Sequence, residues 1–141
     1  MATGATGRAV ERHIVRVMGV GFRAAADVSS LQDAMQRALA ELGNNKLDAL
    51  VTEAAKAREP LFREFAQLLG LPGLGITQND LQQMITPTQS DRIKDRFGTG
   101  SLAEAAALAV AGPDARLIAV RVVSGDGKAT AAIAESQGIS Q

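Results

Sequence analysis

The chain has 141 residues, 46% of them hydrophobic, with 15 basic and 15 acidic side chains, no cysteine, no tryptophan or tyrosine, and one histidine, His13. That length suits one domain burying roughly 70% of its unfolded surface, and the missing residue types exclude a disulfide framework, a thiolate nucleophile and a cysteine or multi-histidine metal centre. Zero net charge and 3% aromatics argue against a nucleic-acid partner, and no apolar run is long enough to span a bilayer.

Residues 1–12 are small and polar and read as a flexible leader without an apolar signal core, so a cytoplasmic location is expected. The β-branched run from His13, ending in Gly19-Val20-Gly21, predicts a strand and a tight turn. His13, at the strand start, reads as a surface or capping residue. Ser29 and Gln32 have capping-box spacing, and Leu31, Met35, Ala38, Leu39 and Leu42 repeat at helical intervals until Gly43-Asn44-Asn45. A second strand is expected over 47–52, and a helix over 58–69, with Pro60 at its first helical position and Gly70 as its stop. Residues 74–77 suggest a third strand, and Thr77 with Asp80 caps a short helix running to Met84. Thr86-Pro87 predicts another helix over 88–97. Beyond Gly98-Thr99-Gly100, Ser101 and Glu104 form a capping box for an alanine-rich helix to Ala111. Two strands, 117–123 and 128–134, flank the turn Ser124-Gly125-Asp126-Gly127 and close the chain as a hairpin.

The sum is an α/β fold, a three-layer α/β/α arrangement with a mixed sheet of about five strands. It forms one domain over 13–135, with a loose tail at 136–141. Alanine accounts for 26 residues and arginine for 11 of the basic ones. Both excesses fit a GC-rich genome, although a guanidinium also recognises carboxylates and phosphates bidentately.

Several residues could contact a ligand. Gly19 and Gly21, with Arg23 beside them, follow the first strand, where open α/β sheets often bind ligands. A tight structural turn explains the glycines equally simply. A third glycine at dinucleotide spacing is absent, because position 24 is Ala24, and there is no Walker-type motif. Gly98, Gly100 and Ser101 put backbone amides at a helix start, an anion site unless the cap satisfies them. Lys56 and Glu59 follow the second strand. They could hold a carboxylate and polarise a water, with Glu53 as another candidate base, or they form an ordinary charged connection. Arg121 interrupts an apolar strand on the face of Leu117, Ala119 and Val123, so it lies at a sheet edge or faces a cleft.

The ordered signatures resemble the cobalamin-biosynthesis family of the CobE proteins and the C-terminal domain of CbiG. The matching elements are Gly19-Val20-Gly21-Phe22-Arg23, then Ala49 to Thr52 with Lys56 and Glu59-Pro60-Leu61, then Leu69-Gly70-Leu71-Pro72. Thr86-Pro87 with Ser90, the stretch from Gly98 to Ala107, and the closing hairpin complete the set over about residues 13–134. The family usually has a cysteine, often with a second arginine, where this chain has Phe22 and Ala24, and a lysine where Arg121 stands. The missing cysteine argues against a thiol role there, and the missing second basic residue weakens anion contacts from the first loop.

The resemblance implies binding or hand-over of a corrin-ring intermediate, of precorrin or hydrogenobyrinic acid type, as in the aerobic-pathway CobE proteins, whose length this chain matches. It implies neither cofactor nor metal, and no membrane partner. The alternatives are hydrolysis of a precorrin lactone, as by cobalt-precorrin-5A hydrolase, and an interaction module for pathway enzymes. Few obvious catalytic groups favour an accessory binding protein over an enzyme. The expected ligand contacts are Gly19, Gly21, Arg23, Thr52, Lys56, Glu59, Gly98, Gly100, Ser101 and Arg121. An anionic ligand in a chain of zero net charge requires positive charge gathered at one edge of the sheet.

Overall fold

From Val17 to Phe22, β1 (Arg12–Phe22) carries only apolar residues and glycine in both of its alternating phases, so both faces of this stretch need cover, as in a central strand. A computed structural model describes residues 12–40, 42–91, 93 and 100–139, and it puts β1 in the middle of a five-stranded sheet. Strands β2 (Ala49–Glu53) and β3 (Gly73–Ile76) run parallel on one side of β1. On its other side, β5 (Ala129–Ile139) pairs antiparallel with β1 and with the edge strand β4 (Arg116–Val123). The order is therefore β3-β2-β1-β5-β4, the mixed α/β sheet expected from the sequence.

Among the described residues, α1 (Val28–Leu39), α2 (Pro60–Leu69), α3 (Gln78–Gln82) and α4 (Leu102–Ala111) cover it. Side chains alternate between faces along a strand. Met18, Val20 and Phe22 of β1 accordingly join Leu31 of α1 and Phe62 and Phe65 of α2 in one core. Val17 joins Val51, Leu81 of α3 and the alanines of α4 in the other. Those alanines have a packing use. Helix α4 packs on β5, where Ala103, Ala105, Ala106 and Ala107 of the helix and Ala132 and Ala134 of the strand are all buried, and small side chains on both surfaces bring helix and sheet into close approach.

The local differences from expectation have identifiable causes. Helix α1 is capped by Asp27, not Ser29. The Asp27 carboxylate accepts from the Ser30 N–H at 3.0 Å, and the Ser30 hydroxyl accepts from the Asp27 N–H at 3.2 Å, a complete capping box. The Ser29 hydroxyl is itself spent on Asp27 at 2.7 Å. The segment expected to be a helix from residue 88 is irregular through Ser90, and helix is present at 91 and 93. Ser90, not Thr86, serves as the cap, accepting from the Ile93 N–H at 3.4 Å; residues 94–97 of that expectation lie outside the described residues. The tail expected to be loose from 136 continues as strand to Ile139, because β1 starts early enough to pair Arg12 with Ile139. The leader at 1–11 lies outside the described residues, and Arg12 already belongs to β1.

Candidate functional site

Because β5 is antiparallel to both β1 and β4, those two strands point the same way. The carboxyl ends of β1 and β4, the start of β5 and the connection after β2 thus meet at one end of the sheet. Ligands of open α/β sheets favour this end. A cleft of about 600 Å³ opens there beside the start of α4, within the size range of small-molecule sites. Among the described residues its walls carry apolar Phe22, Ile93, Leu102 and Val123, the hydroxyl residues Ser90, Ser101 and Thr130, four cations and one carboxylate.

The cations are Arg23, Lys56, Arg121 and Lys128, and the carboxylate is Glu59. Lys56 is 8% exposed. Its Nζ donates to the Phe22 carbonyl at 2.7 Å and stands 4.6 Å from the centre of the Phe22 ring, so a hydrogen bond and a cation–π contact hold the charge at the end of β1. Strand β2 ends in a tight turn that delivers it: the Glu53 carboxylate accepts from the Lys56 N–H at 3.2 Å. Glu53 therefore caps this turn and does not line the cleft. Arg23 and Glu59 are exposed at the rim.

Arg121 lies both at a sheet edge and in the cleft. Strand β4 pairs Leu117 with Ala134, Ala119 with Ile133 and Val122 with Ala131, so it gains an extra residue in each interval. Such bulges bend an edge strand and re-aim its side chains. The expected face shared by Leu117, Ala119, Arg121 and Val123 is broken as a result. Leu117 packs with the α4 core, Ala119 with the α1 core, and Arg121 and Val123 line the cleft. The Arg121 N–H, turned away from a regular ladder, donates to Glu104 at 2.8 Å.

Lys128 and Thr130 enter from the hairpin, and sequence reasoning did not single them out. The available signal was the turn beside them. Asp126 accepts from the Ser124 hydroxyl at 2.5 Å, the Ser30 hydroxyl at 2.6 Å and the Lys128 N–H at 2.9 Å. These bonds, in that order, favour the ionised carboxylate and hold its pKa at about 2. Asp33 accepts from the Gly125 N–H at 2.6 Å, its largest cause of a lowered pKa, and pairs with Arg37 at 2.8 Å. The cleft's hairpin wall is thereby tied to α1.

Other expected contacts take different places. Gly19 is buried under α4, where a Cβ would overlap the Ala103 carbonyl oxygen and sit 2.8 Å from the Ala107 nitrogen. It is a packing glycine and does not line the cleft. The Thr52 hydroxyl is fully buried and donates to the Val20 carbonyl at 2.8 Å. A Cβ on Gly100 would meet the Thr88 carbonyl oxygen at 2.6 Å, so this glycine admits the 88–90 segment, away from the lining. Gly98 lies outside the described residues. Gly21, Arg23, Lys56, Glu59, Ser101 and Arg121 share the cleft. Among the described residues no group of three or more His, Cys, Asp or Glu is placed to hold a metal ion, and no helix is long and apolar enough to cross a membrane.

The family model for the cobalamin synthesis G C-terminus matches residues 16–134. The chain belongs to this family. As a member it is a protein of cobalamin biosynthesis, and solved structures agree with that assignment. The crystal structure of CobE, a protein from the cobalamin biosynthetic pathway, superposes with a TM-score of 0.80 at 28% identity, covering 89% of this chain and 93% of that one. Cobalamin biosynthesis protein chiG from Agrobacterium tumefaciens str. C58 gives a TM-score of 0.66 at 36% identity, covering 85% of this chain and 97% of that one. Comparison with curated protein sequences gives no match. Set on the cleft, the family's first-loop and α4-start signatures are split between jobs: Gly21, Arg23 and Ser101 line it, while Gly19 and Gly100 let neighbouring segments close in.

Proposed function

We propose that the cleft binds one edge of a corrin-ring intermediate, of precorrin or hydrogenobyrinic acid type, and holds it for transfer to the next enzyme. The carrying observation is the gathering of Arg23, Lys56, Arg121 and Lys128 around a single cleft of about 600 Å³ in a chain of zero net charge. Corrin precursors carry acetate and propionate groups around an apolar macrocycle. Guanidinium and ammonium groups match those carboxylates, and Phe22, Leu102 and Val123 offer apolar surface to the ring. A cleft this size takes an edge of the macrocycle with two or three of its acid side chains, leaving the opposite edge free for a partner enzyme. The similarity to the CobE structure supports the same assignment of pathway.

The experiment is a titration of the purified protein with hydrogenobyrinic acid, followed by the visible spectrum and by co-elution on gel filtration. Binding at micromolar concentration supports the reading; no spectral shift and no co-elution overturns it. Release of acetaldehyde from a precorrin lactone would instead establish hydrolysis, with Glu59 as the carboxylate lining the cleft.

A further inference from the structure

Glu104 is fully buried in an alanine-rich helix, at a position where alanine would pack without desolvating a charge. Among the described residues no ion pair involves it. Sequence spacing makes it the return half of a capping box, yet only the forward half is present: its N–H donates to the Ser101 hydroxyl at 3.2 Å. The carboxylate turns elsewhere. Its Oε1 accepts from the Thr88 N–H at 2.9 Å, and its Oε2 accepts from the Thr88 hydroxyl and the Arg121 N–H, both at 2.8 Å.

Those three donors come from two segments that never pair with each other as strands, the 86–90 stretch and the bulged edge of β4. Each segment contributes to the cleft, through Ser90 and Arg121 respectively. Glu104 therefore spans the site from behind and joins two of its walls to the start of α4. We infer that Glu104 is a positioning residue, whose carboxylate fixes the β4 bulge and so aims the Arg121 guanidinium into the cleft. A plain helix cap would need one acceptor at this position. Two backbone N–H groups converging from separate segments need a carboxylate, because a glutamine amide has a single acceptor end. With Gln at 104, whichever way the amide turns, one of the two N–H groups faces an NH₂.

The inference rests on the corrinoid reading for its ligand, and its geometry is testable without it. The experiment compares hydrogenobyrinic acid binding by the parent, E104Q, R121A and the double variant. If Glu104 acts through Arg121, E104Q weakens binding about tenfold with Arg121 present and less than about threefold once it is alanine. Equal losses in both backgrounds overturn the inference. Hydrogen exchange reads the joints directly: the Thr88 or Arg121 amide of E104Q exchanges at least about tenfold faster than in the parent, while core amides of β1 keep their protection. Unchanged exchange at both amides overturns the inference even if the parent fails to bind the acid, a failure that counts against the corrinoid reading alone. Should E104Q not fold, T88V deletes one of the three bonds at a half-buried position. It is expected to weaken binding about threefold or speed Thr88 amide exchange, and a variant unchanged in both overturns the proposal.

Discussion

Alanine at Gly19 adds one methyl group and is expected to be among the most damaging single substitutions in this chain. Its Cβ would overlap the Ala103 carbonyl oxygen and lie 2.8 Å from the Ala107 nitrogen and 3.0 Å from the Ala103 carbonyl carbon. All three are backbone atoms of α4, so no side-chain rotation relieves the clash. Ordinary contact would require the helix to retreat from β1 by on the order of 1 Å, and a gap that size forfeits a quarter to a half of each dispersion contact along the seam. The seam includes Ala105, Ala106 and Ala107, all fully buried. Overpacking of this kind costs about 3 kcal/mol, the upper end of the usual span. For a domain of this size that lowers the melting temperature by roughly 10 °C. Thermal unfolding followed by circular dichroism reads it. A G19A variant melting within about 2 °C of the parent would refute the claim that this glycine exists for helix–sheet approach. Gly21 is the internal control: its Cβ would meet the Thr130 hydroxyl at 2.8 Å, a side-chain atom held only by a long 3.5 Å bond to the Gly21 carbonyl, so G21A should cost less than about 1 kcal/mol while adding a methyl to the cleft wall.

Acid should loosen the junction of α1 with the hairpin before it melts the core. Asp27, Asp33 and Asp126 have carboxyl pKa values below their ordinary 3.8. Their ionised forms therefore contribute stability above about pH 4, and that contribution is lost as pH falls toward 2. Chemical denaturation from pH 7 to pH 2 should show stability dropping in this window, and D126N should flatten the drop; an equally steep D126N profile contradicts the assignment. Replacing Lys56 by methionine keeps the packed stem and strands the Phe22 carbonyl, so K56M should cost about 1–3 kcal/mol in unfolding free energy. A neutral result would mean that water substitutes for the ammonium. Alanine at Lys128 should weaken hydrogenobyrinic acid binding about tenfold, the worth of one charge-assisted hydrogen bond. The weakening should be larger at low salt than at high salt, as isothermal titration at two ionic strengths would show.

Fold class was legible because hydrophobic period and punctuation agreed along most of the chain. Pro60 and Gly70 bound α2 where the sequence puts them, and Gly70 takes the left-handed conformation, φ 67°, that ends the helix. Local signals misled where two caps competed. Asp27 outcompeted Ser29, and Thr88, expected inside a helix, is held by a carboxylate 16 residues away. The site was half legible. Arg121 stood out because a cation in an apolar strand demands a reason, and Lys56 because it follows a strand. The packing roles of Gly19 and Gly100 were not, since one-dimensional spacing cannot separate a glycine that admits a ligand from one that admits a helix. Lys128 was hidden for a related reason. It looks like the polar end of a hairpin turn until β5 is known to lie beside β1, which carries that turn to the mouth of the cleft.

The central claim is that positive charge gathered at one end of a neutral molecule captures a polycarboxylate ring. It is tested most directly by comparing hydrogenobyrinic acid binding to the parent and to an R121A/K128A variant shown by circular dichroism to be folded. The parent should bind at micromolar concentration, and the variant about a hundredfold more weakly, the product of two charge-assisted contacts. Equal binding by the two proteins, or none by the parent, would contradict the account.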